Sequence, residues 1–104
     1  MWLKPFETHL NVDLFVDDGG SYKRNGHKLL LFARNGYDKS VNDFIPFSIE
    51  PMPFVLDTEM DFNISYDDVF DIMDFIQANV SRLIQLANQT ITQNDFLPNI
   101  KKYK

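Results

Sequence analysis

RNGHKLLLFARNG, residues 24–36, repeats the tripeptide Arg-Asn-Gly at both ends of an apolar run. A phosphate-gripping loop would need several glycines leading into Gly-Lys-Ser/Thr at a helix start, and the stretch has no such sequence. Asn-Gly is instead the preferred central pair of a type I′ hairpin turn, because both of its residues take positive φ. Asn25-Gly26 and Asn35-Gly36 therefore read as successive turns, with residues 27–34 a single strand between them. Leu29, Leu31 and Ala33 share one face of that strand, and Leu30 and Phe32 the other. A strand apolar on both sides belongs in the interior of a sheet or beneath two covering layers.

Working outward, residues 10–17 (LNVDLFVD) alternate Leu10, Val12, Leu14 and Val16 with Asn11, Asp13, Phe15 and Asp17. Period two predicts a strand with one buried face. Asp17-Asp18-Gly19-Gly20 then breaks it, in the manner of a turn or bulge. Downstream, Ile45, Phe47 and Ile49 form another alternating set. Pro46 cannot donate to a ladder and so points to a sheet edge or bulge. Met60, Phe62 and Ile64 alternate again. Ser65, three residues before Asp68, marks a helix N-cap, with Ile64 and Val69 placed to staple the chain's entry. Val69, Ile72, Met73, Ile76, Val80, Leu83, Ile84 and Ala87 follow at spacings of three and four, predicting an amphipathic helix of roughly six turns. Phe70, Phe75 and Leu86 lie beside this stripe.

The expected fold is α+β in a single domain, 1–104. An antiparallel sheet of about four or five hairpin-linked strands spans about 9–64, and one long C-terminal helix, about 66–89, packs on one face. The tail, 90–104, repeats a cap pattern at Thr92 and then meets Pro98, which restricts it to a short helical turn.

The 44% hydrophobic content and ten phenylalanines suffice for a packed core. Absence of cysteine removes disulfides, thiol catalysis and the common structural zinc sites. Residues 1–10 lack the apolar core of a signal peptide, and no run approaches the roughly 20 apolar residues of a membrane span. A soluble cytoplasmic protein with no membrane partner is expected. The Asn-x-Ser/Thr triplets at Asn63, Asn79 and Asn88 are then coincidental.

The net charge of −5 is unevenly spread. From Ser40 to Ser81 there is no Lys or Arg, against nine acidic residues. Lys23, Arg24, Lys28, Arg34 and Lys39 cluster just before that stretch. DDVFD, residues 67–71, resembles the D-D-x-x-D string of some prenyl-transferring enzymes. That family also requires a second acidic motif, which this chain lacks, and aspartates facing the helix dipole explain the string without a metal. Asp57, Glu59, Asp61 and Asn63 mimic alternate ligands of an EF-hand loop, but Phe62 stands where its sharp turn needs glycine. His9 and His27 occur in no metal-ligand spacing, and Ser40, Ser48 and Ser65 lack nucleophile-elbow glycines. The expectation is no enzyme, no metal and no cofactor.

The preferred reading is a non-catalytic protein-interaction module of accessory, inhibitor, immunity or antitoxin type. It would present an acidic face to another protein through Asp67, Asp71, Asp74, Asp57, Glu59 and Asp61. In this it resembles, in general appearance only, small acidic accessory proteins of bacteria and phages. The alternative is nucleic-acid binding by the basic region, with Tyr22, Lys23, Arg24, Lys28, Arg34 and Tyr37 stacking bases and neutralising phosphates. An acidic chain of pI about 4.7 argues against it. A further alternative is a self-associating structural subunit that forms homo-oligomers.

Overall fold

A computed structural model describes residues 2–17, 30–35, 45–53, 55 and 64–101. Its sheet comprises β1 (Trp2–Leu3), β2 (Val12–Val16), β3 (Leu30–Asn35) and β4 (Ile45–Ser48). The strands lie in chain order and each pairs antiparallel with the next. The helices are α1 (Pro5–Thr8), α2 (Tyr66–Ala78), α3 (Val80–Ala87) and α4 (Gln93–Phe96), with a closing 3-10 turn, Leu97–Asn99. The class is α+β.

The two-faced character of β3 follows from its position between β2 and β4. Leu31 and Ala33 enter the main core together with Leu3, Val12, Leu14, Val16, Ile45 and Phe47. Leu30 and Phe32 form a second cluster on the opposite face, against Phe15. Among the described strands, β4 comes last in the order and carries Pro46 opposite Phe32. Phe47 makes an isolated bridge to Val55 on its far side.

The turn assignment needs correction. Asn35 is not a turn residue but the end of β3, opposite Val12. A two-residue turn at 25–26 would lie outside the described residues. One at 35–36 would bring Ala33 opposite residue 38, whereas its partner is Ile45. Gly26 and Gly36 themselves lie outside the described residues, as does the expected strand at 59–63.

Residues 2–8 hold two elements that hydrophobic periodicity did not signal. Pro5 occupies the first turn of α1, where its missing N–H has no helical partner to lose. The Glu7 carboxylate accepts from the Lys4 backbone N–H at 2.8 Å, closing that turn. His9 ends it at φ 67°, in the left-handed region.

The long C-terminal helix is also corrected: it is broken at Asn79. This residue (φ −121°, ψ 18°) leaves helical geometry, and its N–H is shared between the carbonyls of Phe75 and Ile76. The cause lies in its side chain. Asn79 falls on the buried stripe, where an amide must be satisfied. Its Nδ2 donates to the carbonyls of Phe75 and Lys101, each at 3.0 Å, while its Oδ1 accepts from the Lys101 N–H at 2.7 Å. The tail is thus tied to the break. Around it the buried face is broader than the periodic stripe, since Phe75 and Leu86 join Val69, Ile72, Ile76, Leu83 and Ala87 in the core. Met73, Val80 and Ile84 are only half-buried.

Both expected caps form. The Asp68 N–H donates to Ser65 Oγ at 3.1 Å, and Ile64 and Val69 are both buried. Thr92 and Asp95 cap α4 reciprocally, which seats Phe96 in the core.

Two outcomes test this architecture. Ile76→Asp places an unpaired charge in the core, at several kcal/mol against a total stability of roughly 5–15 kcal/mol. Cooperative thermal unfolding should disappear from circular dichroism. Asn79→Ala removes the amide from the Phe75 carbonyl and from both backbone groups of Lys101 and should lower stability by about 1–3 kcal/mol in urea titration. An unchanged midpoint would show that the tail is not anchored there.

Candidate functional site

The acidic face is carried by α2. Once Val69, Ile72, Phe75 and Ile76 are turned into the core, a 3.6-residue repeat directs the opposite side of the helix outward. Asp67 and Asp74 are exposed on that side, and Asp71 is half-buried at its flank. Asp68 lies close to the cap, where its Oδ1 accepts a long bond of 3.5 Å from Asn11 Nδ2. Asp67 and Asp68 stand in the first turn, where the helix dipole favours anions. Asp74, two turns further on, is beyond its effective reach. Asp57, Glu59 and Asp61 lie outside the described residues.

Two rings stand on the same face: Phe70, which the sequence places beside the apolar stripe, and Tyr66, which sequence reasoning passed over. Tyr66 is 76% and Phe70 61% exposed. On a helix, residues four apart are surface neighbours, so the two adjoin. Phe70 also has Asp67 three residues before it and Asp74 four residues after. The signal was available: Tyr66 and Phe70 both fall off the apolar stripe at helical spacing.

A second cluster of polar chemistry lies on the face of the sheet opposite the helices. Asp13 and Arg34 sit directly opposite each other on β2 and β3. Asp13 is fully buried, contrary to the half-solvated strand that its alternation predicts, and the Arg34 side chain is 16% exposed. Arg34 donates from Nε and Nη2 to Asp13 Oδ2, both at 3.2 Å. The guanidinium lies 4.7 Å from the centre of the Trp2 ring, and Trp2 meets Phe15 edge-on at 5.2 Å. Lys4 Nζ approaches the same carboxylate at 4.0 Å and the same ring at 5.2 Å. This arrangement ties β1, β2 and β3 together. It also bears on the basic-region alternative, because Arg34 is engaged inside the protein. Tyr22, Lys23, Arg24, Lys28 and Tyr37, with His27, lie outside the described residues.

Among the described residues, no group of three or more His, Cys, Asp or Glu side chains is placed to hold a metal ion. His9 is an exposed helix cap, and the Ser65 hydroxyl is occupied in capping α2. No helix among these residues is long and apolar enough to cross a membrane.

The Asp13–Arg34 pair makes a sharp prediction. Arg34→Ala strands a buried carboxylate and should destabilise the protein by on the order of 3 kcal/mol. Replacing both residues by apolar ones (Asp13→Leu with Arg34→Met) should restore most of the loss, since removing both charges removes the desolvation penalty. Denaturant midpoints of the two variants measure this directly. Equal losses in both would mean that the pair is not the source of the stability.

Compared with protein-family models, curated proteins and solved structures, the chain matches none, so its function is read from its own residues.

Proposed function

We propose that the protein is a non-catalytic interaction module that docks another protein on the outer face of α2. One observation carries this reading: Tyr66 and Phe70 stand exposed side by side, with exposed carboxylates at Asp67 and Asp74. Scattered surface apolar residues need no explanation, but adjoining ones bordered by polar groups mark interaction sites. Aromatic rings are enriched at the energetic centres of protein interfaces. The acidic border selects a positively charged partner surface and accelerates its approach. The face is also mildly unfavourable to the free protein. Like charges at spacings of three and four along it repel by a few tenths of a kcal/mol.

A photo-crosslinking side chain at position 70 tests the reading in the native host, with position 52 as control, because Met52 is 81% exposed in a different segment. A discrete adduct should form from position 70 and not from position 52. It should be lost when Asp67→Asn and Asp74→Asn are added. An adduct of twice the chain mass would assign the face to self-association, while the same adducts from both positions would sink the proposal. Asp74→Asn by itself should melt no lower than the parent, because Asp74 lies beyond the reach of the helix dipole and is exposed, so its loss does not touch the core. Its association with the captured partner should slow, and the difference should shrink as salt rises.

A further inference from the structure

We infer that the partner presents arginine, and that α2 reads the guanidinium through ring stacking and carboxylate pairing together. The inference rests on the docking role proposed for this face and names the chemistry of its occupant: a basic, arginine-bearing segment of a protein.

Three features converge on this assignment. Phe70 is surrounded on the helix surface by Tyr66, Asp67 and Asp74, so a group stacked on either ring lies within a turn of a carboxylate. An arginine suits that arrangement better than a lysine. Its guanidinium is planar and weakly hydrated, and it can stack on a ring while its fork of N–H donors engages an oxygen pair. A lysine ammonium is a compact, strongly hydrated charge that gains mainly from the carboxylates. Complementarity of sign also decides between classes of partner, since the phosphates of a nucleic acid would meet two exposed carboxylates.

The protein uses the same combination internally. Arg34 lies over Trp2 at 4.7 Å while bonded to Asp13 through Nε and Nη2. There the ring, the carboxylate and the arginine all come from one chain. On α2 the ring and carboxylate are exposed, and the sequence supplies no cation between Lys39 and Arg82.

Fluorescence anisotropy with the whole protein tests the assignment. Two labelled peptides of equal length and charge serve as probes, one with arginines and the other with lysines at the same positions. The arginine peptide should bind at least about threefold more tightly, as expected from an added cation–π contact at an exposed site. That preference should vanish in Tyr66→Ala/Phe70→Ala, which keeps the charge and alters only exposed side chains. Asp67→Asn/Asp74→Asn should weaken both peptides. Equal affinities, no binding of either peptide, or a preference that survives loss of both rings would overturn the guanidinium assignment. None of these results would remove a position-70 adduct, so the docking role stands or falls separately by crosslinking.

Discussion

The register of β2 on β3 is the constraint on which the rest of the structure depends. Side chains alternate with a period of two, so a slip of one residue would turn Leu14 and Val16 away from the helices and bring Asp13 into the apolar core. A slip of two would keep every face and satisfy the hydrophobic pattern. It would also part Asp13 from Arg34 and leave a carboxylate buried without its guanidinium. The ion pair therefore removes the alternative that hydrophobicity allows. Buried ion pairs are a weak source of net stability, and their best-attested use is in setting register. With β2 and β3 aligned, the inner position of β3 is set, and its two apolar faces each acquire a cluster.

The helical layer is built on the first of those faces. Residues of α2 and α3 bury a shared surface over β2, β3 and β4, at about 1.5–3 kcal/mol for each fully buried large side chain. Where that surface meets Asn79, the amide takes both backbone groups of Lys101. The same tail reaches the other end of the chain, since Gln93 Nε2 donates to the Trp2 carbonyl at 3.1 Å. The C-terminal segment thus braces the helix break and the two-residue strand β1 together.

This division of labour explains why the polar chemistry of the two faces differs. On the reverse of the sheet, an arginine, a carboxylate and a ring are consumed by one another and hold strands in place. On the outside of α2, rings and carboxylates stand exposed, and the core side of that helix is already filled. The proposed docking role belongs to the second surface for that reason.

Local chemistry was legible in the sequence because it depends on residues within a turn or a strand of one another. The apolar pattern of Leu30–Ala33, the caps at Ser65 and Thr92, and the outward carboxylates Asp67 and Asp74 were all readable from spacing alone. The adjoining rings of Tyr66 and Phe70 obey the same spacing rule, although hydrophobic periodicity directs attention to the opposite side of the helix. Other features required partners remote in the chain. Asp13 reads as a solvent-facing strand residue until Arg34 is brought opposite it. Asn79 reads as one more helical position until Lys101 arrives. Phe75 and Leu86 read as flanking residues because an unbroken stripe is assumed, and the packing around Asn79 makes the buried face wider. Spacing determines which side chains share a face. Only tertiary packing decides whether that face meets water, because burial depends on what the distant parts of the chain lay against it.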